Sequence, residues 1–141
     1  MKKIININGE LLDLSTPVVM GILNVTPDSF YSGSRKQNEK EIIERVIQII
    51  NEGGKIVDIG GQSTTPTSTL HTIKEELERL EPALTIIRRE FPNVILSVDT
   101  FYSEVAKTMV EKYDVNIIND ISGGQIDENM FETVALLNVP Y

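Results

Sequence analysis

Apolar residues recur along the chain in four short runs, at residues 18–25, 56–59, 94–98 and 115–118. Continuous runs of this length are typical of strands that are buried on both faces of a parallel sheet. A pattern of apolar residues at spacings of three and four, typical of an amphipathic helix, follows each run. The pattern therefore predicts four βα units, and residues 138–141 read as the entry to a further strand.

Polar residues that can cap a first turn predict where two of these helices begin. Asn38, with Glu41 three residues later, predicts the start of the first helix, and residues 53–54, both glycine, predict its end. Thr72, followed by Glu75, predicts the start of the second helix. Pro82 lies inside that helix and predicts a kink or a break there.

Ser103 and Asp127 are the candidate caps of the third and fourth helices.

Basic residues, among them Arg45, Arg88 and Arg89, fall on the polar faces of the helices, where a solvated surface is the ordinary interpretation.

A short hairpin is expected before the first run. Two short apolar stretches flank Asn8 and Gly9, and this dipeptide tolerates the positive φ angles of a type I′ turn. We therefore divide the chain into a hairpin at residues 1–16 and one βα domain at residues 17–141.

Repeated βα units build either an open doubly wound sheet or a (β/α)₈ barrel. The chain has 141 residues, whereas a barrel typically needs about 250, so it would supply about half of one. No glycine-rich nucleotide motif follows the first run, which weakens the case for an open nucleotide-binding sheet.

Composition excludes several classes of protein. Hydrophobic residues make up 40% and charged residues 24%, as in soluble globular proteins. The net charge of −8 argues against nucleic acid as a partner, and no apolar stretch reaches the ~20 residues that span a membrane. There is no cysteine, so a disulfide framework and a thiolate metal site are excluded, and the lone His71 has no neighbouring metal ligand. Polar residues interrupt the start of the chain, as they would not in an export signal, so we expect a cytoplasmic protein.

Each apolar run ends in a carboxylate or an amide, namely Asn24, Asp58, Asp99 and Asn119. Asp and Asn also cap helices and form turns, and any one of them alone would be read that way. Because the carboxyl ends of parallel strands meet at one edge of a sheet, four such residues together favour a ligand site. Asp99 and Asn119 offer acceptors and a donor that suit a planar nitrogen heterocycle.

Two segments next to these residues also suggest a ligand site. After Asn24 comes a long loop with hydroxyls, a carboxylate and an aromatic ring, which is typical of an active-site lid. After Asp58 come two glycines, at residues 60–61, which allow a ligand to approach the backbone closely.

Four segments in order resemble the signatures of the dihydropteroate synthases: residues 21–30 (GILNVTPDSF), 58–66 (DIGGQSTTP), 97–100 (SVDT) and 118–121 (INDI). The resemblance runs from about residue 17 to residue 141. It implies the N-terminal half of a (β/α)₈ TIM barrel. It also implies an enzyme of folate biosynthesis that condenses 6-hydroxymethyl-7,8-dihydropterin pyrophosphate with 4-aminobenzoate and releases pyrophosphate.

The resemblance also implies roles for residues at the strand ends. Asp99 and Asn119 would hold the pterin ring, with Ile121 packed beside it and Asp58 supporting the site. Asn24 would lie near a Mg²⁺ ion and the pyrophosphate, so magnesium is the expected cofactor and Asn24 its expected ligand.

In the loops, the resemblance implies that Thr26, Asp28 and Phe30 act from the first mobile loop, with Phe30 covering the aminobenzoate. Ser63 and Thr64 would act from the second loop, with Thr64 also contacting substrate. Closure of the two loops would keep water away from the reacting carbon.

The chain departs from the family pattern in the second loop. Thr65 stands where the family usually has Arg, and Thr67 where it has Gly, so we expect altered binding of the amine. Gln62 replaces a common Glu.

The family also takes pterin and anion ligands from strands beyond residue 141. This chain alone is therefore expected to be inactive, and a homodimer of half-barrels would be one remedy. Two other functions fit the same residues: a pterin-binding methyltransferase with a corrinoid partner, and a non-catalytic pterin-binding protein.

Overall fold

The computed structural model describes residues 3–25, 35–61 and 72–141. The elements in chain order are β1 (Ile4–Ile7), β2 (Glu10–Asp13), β3 (Val19–Asn24), α1 (Arg35–Asn51), β4 (Gly54–Gly60), α2 (Ile73–Glu90), β5 (Ile95–Asp99), α3 (Ser103–Tyr113), β6 (Ile117–Asn119) and α4 (Met130–Leu137). None of the helices in these ranges has the length and apolar character needed to cross a bilayer.

The four predicted βα units are confirmed. Strands β3, β4, β5 and β6 form a parallel sheet in that order, with neighbouring strands of the sheet also neighbours in sequence. After α4 the chain returns to the free edge of β6, where the carbonyl of Pro140 accepts the N–H of Ile118 at 3.0 Å. This order is that of a half (β/α)₈ barrel.

The main core lies between the outer face of the sheet and the helices. Its largest fully buried side chains come from both layers and include Ile59, Leu80, Leu84, Ile87, Leu96, Met109, Ile118 and Met130. Burial of such aliphatic side chains contributes roughly 1.5–3 kcal/mol each, so this layer supplies most of the stability of the fold.

The leading hairpin is confirmed, and it closes one end of the sheet. Asn8 and Gly9 have φ angles of 50° and 91°, as a type I′ turn requires. Ile7 of this hairpin packs against Ile56 and Ile117 on the inner face of the sheet, in a second, smaller apolar cluster. The hairpin therefore lies at the amino ends of the strands and leaves their carboxyl ends open.

Strand β3 contradicts the expectation that every strand is buried on both faces. Met20 and Ile22, on its inner face, keep 38% and 57% of their surface exposed, whereas Leu23 is buried against α1. The reason is that β3 is an edge strand, whose inner face has no covering layer in the described residues. The guanidinium of Arg45, expected at a solvated surface, donates instead to the carbonyl of Ile22 at 3.2 and 3.0 Å.

The second helix begins as predicted, but the first does not. Thr72 caps α2 through a full capping box with Glu75. Helix α1 starts at Arg35, three residues before the expected cap, and Asn38 is buried within it. Helix α2 is not divided at Pro82, because buried residues on both sides of the proline anchor it to the core.

Asp127 does not cap its own helix with its side chain, but caps a neighbouring one. Its carboxylate accepts the N–H of Ser103 at 2.7 Å and that of Asn129 at 3.0 Å. The predicted cap of α3, Ser103, is therefore its first residue, with Tyr102 before it in the cap position. Burial would raise the pKa of Asp127, but these hydrogen bonds outweigh it and hold the pKa below its usual value.

Arg88 was expected on the solvated face of α2, and the structure contradicts this. Its guanidinium donates five hydrogen bonds, to Tyr113 O, Pro92 O, Val94 O, Asp114 O and Asn116 Oδ1, at 2.6–3.3 Å. Burial lowers the pKa of Arg88. The residue therefore joins the end of α2 to the segments that precede β5 and β6.

Candidate active site

Three of the four predicted strand-end residues lie in a single row across the sheet. The register pairs Asn24 of β3 with Gly60 of β4, Gly60 with Asp99 of β5, and Asp99 with Asn119 of β6. Paired residues of parallel strands point to the same face and are separated by about 4.8 Å between strands. The row therefore presents an amide, a gap, a carboxylate and a second amide on the inner face.

The gap is at Gly60. A Cβ atom on this glycine would lie 3.2 Å from Asn24 Oδ1 and 3.7 Å from Asp99 Oδ2. The two side chains thus approach each other over bare backbone, with oxygen atoms on both sides. Both glycines were expected to let a ligand approach the backbone closely. Gly60 lies in the row, whereas Gly61 faces Glu76 and Leu80 of α2.

Asp58 lies one row deeper, where the register pairs it with Ile22 and Ser97. It is 5% exposed, and its Oδ2 accepts the Nδ2–H of Asn119 at 3.0 Å. Among the described residues its Oδ1 has no hydrogen-bond partner, and neither has the buried Oγ of Ser97. Asp58 is therefore joined to the site by the side chain of Asn119.

Asp99 takes up a proton more readily than an ordinary aspartate. Burial, followed by the negative charges of Asp58 and Asp120, raises the pKa of Asp99 above its usual value. This negative charge around Asp99 favours a ligand that brings N–H donors or positive charge.

Sequence reasoning missed a network behind β6. Asp120 accepts the N–H groups of Ser122 at 2.8 Å and Gly124 at 2.9 Å, and the hydroxyl of Tyr141 at 2.9 Å. Burial and this hydrogen bond raise the pKa of Tyr141 to about 12. The motif that pointed to Asn119 contained Asp120, but nothing in the pattern indicated that Tyr141 would reach it.

Ile121 is carried by the loop that this network orders. It is 85% exposed at the carboxyl end of β6, next to the row of polar residues. The other predicted site residues, Thr26, Asp28, Phe30, Ser63 and Thr64, lie outside the described residues. In the described parts of the chain no three His, Cys, Asp or Glu side chains gather as metal ligands would.

Comparison with known proteins identifies the family. The model of the pterin binding enzymes matches residues 20–141. The chain belongs to the pterin-binding enzyme family. Its described site thus occupies the region that the family model covers, including all three polar strand ends of the row.

Relatives and solved structures agree with this pterin-binding assignment. A folate synthesis bifunctional protein of Arabidopsis thaliana is 44% identical over all of this chain and 30% of its own length. A dihydropteroate synthase of Streptococcus pyogenes is 37% identical over 86% of this chain and 45% of its own length. The structure of a Xanthomonas albilineans dihydropteroate synthase with 4-aminobenzoic acid superposes with a TM-score of 0.83 at 35% identity, over 98% of this chain and 50% of that one.

The chain thus spans about half the length of the dihydropteroate synthases that it matches, and less of the bifunctional proteins. The half-barrel fold expected from the sequence is confirmed by this superposition.

Proposed function

We propose that the protein to which this chain belongs is a dihydropteroate synthase. It condenses 6-hydroxymethyl-7,8-dihydropterin pyrophosphate with 4-aminobenzoate and releases pyrophosphate. The support is the similarity to dihydropteroate synthases, including one solved with 4-aminobenzoic acid. A corrinoid-linked methyltransferase has no comparable support among these relatives.

The observation that carries the proposal is the pairing of Asp99 with Asn119 in one row above the buried Asp58. A pterin ring presents adjacent N–H groups and ring nitrogens along one edge. A carboxylate accepts such N–H groups, and an amide both accepts and donates. In this proposal Asp99 and Asn119 bind and orient that edge, while Ile121 contacts the ring face.

The same residues suit the proposed chemistry. The amine nitrogen of 4-aminobenzoate attacks the methylene carbon of the pterin, the bond from that carbon to the pyrophosphate oxygen breaks, and the amine loses a proton. Positive charge develops on the pterin as the bond lengthens. The carboxylates of Asp58, Asp99 and Asp120 stabilise that charge through a poorly solvated site, and they need no rearrangement to do so.

Magnesium is part of this proposal. The Oδ1 atom of Asn24 is the kind of oxygen ligand that Mg²⁺ takes, and it stands over the bare backbone of Gly60. One amide oxygen fits an ion that is held mainly by pyrophosphate oxygens and water. Bound there, Mg²⁺ would neutralise the leaving pyrophosphate.

Two further expectations stay within the proposal. The exposed apolar residues Met20 and Ile22 on the inner face of β3 support a homodimer in which a second half-barrel covers that face. A cytoplasmic location is the second expectation, carried over from the sequence.

The proposal is tested by assaying the protein isolated from its own cells for dihydropteroate. With both substrates and Mg²⁺ present, we expect equal amounts of dihydropteroate and pyrophosphate, and no pyrophosphate when 4-aminobenzoate is omitted. Tight pterin binding without any amine-dependent release of pyrophosphate would instead make it a non-catalytic pterin-binding protein.

A second prediction concerns the gap in the row. Replacing Gly60 by alanine forces the Asn24 amide to shift by a few tenths of an ångström, since the new Cβ would lie 3.2 Å from Oδ1. Such overpacking costs about 1 kcal/mol, so we expect pterin pyrophosphate to bind roughly fivefold more weakly in calorimetry.

The control for this prediction is Gly61→Ala. It adds the same methyl group on the opposite face, 3.2 Å from Leu80 Cγ. It should lower the melting temperature and leave the affinity unchanged. Equal losses of affinity in the two variants would mean that the row does not hold the pyrophosphate end of the substrate.

A further inference from the structure

The hydrogen bond between Asn119 and Asp58 restricts how the amide of Asn119 faces a ligand. An asparagine amide can present its oxygen and nitrogen in either of two orientations, which differ by a half-turn about the last side-chain bond. Here Nδ2 donates to Asp58 Oδ2 at 3.0 Å. The second N–H and the Oδ1 atom of Asn119 remain for a ligand.

Asp58 can hold only one of the two orientations. As a carboxylate it accepts hydrogen bonds and donates none. Turning the amide would bring Asn119 Oδ1 against Asp58 Oδ2, two acceptors in contact at a carboxylate that is 5% exposed. Leaving buried acceptors unpaired costs about 1–3 kcal/mol.

No other described group competes for this carboxylate. Asp58 Oδ1 has no hydrogen-bond partner in the described residues, and the neighbouring Ser97 Oγ, also buried, does not bond to it. The N–H of Asn119 is therefore the one donor that the described part of the chain supplies to the Asp58 side chain.

We propose that Asp58 is a positioning residue that sets ligand specificity by fixing the amide orientation of Asn119. With that orientation fixed, Asn119 offers Oδ1 and one N–H side by side. This edge binds a ligand in which an amino group adjoins an unprotonated ring nitrogen, as in a 2-aminopyrimidine. It rejects the 2-oxo counterpart, in which a carbonyl adjoins a ring N–H. The inference rests on the proposed pterin site.

The probes are pterin (2-amino-4-oxopteridine) and lumazine (2,4-dioxopteridine), which differ only at this edge. We expect the unaltered protein to bind pterin about tenfold to a hundredfold more tightly than lumazine. In lumazine the carbonyl would face Asn119 Oδ1, and the ring N–H would face the N–H of Asn119. In Asp58→Asn the new amide both donates and accepts, so Asn119 can turn. The preference should then fall to about threefold or less, even if both affinities drop.

The matched control is Asp127→Asn, which also exchanges a carboxylate for an amide, but at the start of α3. It should lower stability without changing the ratio of the two affinities. A merely structural role of Asp58 would lower both affinities together and keep the ratio, and that result would overturn the inference.

A second readout does not need a ligand. The two side-chain N–H signals of Asn119 in a ¹⁵N spectrum should be well separated, with one protected from exchange, and should lose that protection in Asp58→Asn. If pterin fails to bind the unaltered protein, the proposed function is wrong and the ligand specificity is wrong with it. The signals then test the fixed orientation of Asn119 by itself: protection supports it, and unprotected signals refute it.

Discussion

Replacing Asp99 by asparagine is expected to weaken pterin binding roughly tenfold to a hundredfold, the largest functional effect of any single change at the described site. The carboxylate accepts N–H groups of the ligand with a full negative charge, and hydrogen bonds to a charged group contribute about 1.5–3 kcal/mol. Calorimetric titration with pterin measures the loss directly. Asp114→Asn, at the left-handed cap of α3, is the control and should bind pterin normally.

The same variant should not lose stability. Burial and two neighbouring carboxylates raise the pKa of Asp99 in the folded chain. A raised pKa in the folded state means that the folded chain binds this proton more readily than the unfolded chain does. The protonated Asp99 side chain therefore stabilises the fold fully below the unfolded pKa, and this contribution is lost as the pH rises through the folded pKa. At neutral pH the charged side chain therefore opposes folding, and Asp99→Asn should melt at the same temperature or higher.

Binding has the opposite pH dependence from this stability term. Protonated Asp99 loses its charge and accepts N–H groups less well. As the pH is lowered, pterin affinity should therefore begin to fall at a higher pH than it would with an ordinary aspartate. This fall should be absent in Asp99→Asn. A variant that binds pterin as well as the unaltered protein would exclude Asp99 from the ligand site.

Replacing Arg88 by alanine is expected to produce the largest loss of stability, about 3 kcal/mol or more. The change removes the Arg88 donor from four backbone carbonyls, two of them partly buried, and leaves Asn116 Oδ1 with the N–H of Leu96 alone. Each buried acceptor left unpaired costs about 1–3 kcal/mol when no water replaces the donor. Urea unfolding followed by circular dichroism measures the free energy. Arg88→Lys should recover only part of it, because an ammonium lacks the planar five-donor fork.

The neighbouring Arg89 provides the matched control. It is exposed, and its guanidinium pairs with the surface carboxylates Glu39 and Glu90. Exposed pairs of this kind contribute little, so Arg89→Ala should unfold almost as the unaltered chain does. Equal destabilisation by the two changes would show that the Arg88 network does not join α2 to β5 and β6.

The strands and the row of polar residues were predictable because each depends on a local pattern. An apolar run followed by a polar residue identifies both the strand and its carboxyl end, and parallel strands in sequence order bring those ends together. Asn24, Asp99 and Asn119 were placed correctly for this reason. Asp58 lies on the predicted strand, but two residues before the end of that strand rather than at the end.

Features that depend on tertiary contacts were not predictable. Arg88 and Arg89 are adjacent in sequence and both lie on a polar helix face, yet only Arg88 reaches the segments before β5 and β6. Asp127 has the sequence signature of a helix cap, but the helix that it caps is the preceding one in the chain. The Asp58–Asn119 hydrogen bond joins residues 61 positions apart, beyond any local pattern.

The most direct test of the pterin site is to map where 6-hydroxymethylpterin binds, by following the backbone ¹⁵N and ¹H signals of the chain during a titration. We expect the largest shifts at the carboxyl ends of β4, β5 and β6, around Asp58, Asp99 and Asn119. Shifts centred instead on the hairpin end of the sheet, near Ile7 and Arg88, or no shifts at any concentration, would contradict this expectation.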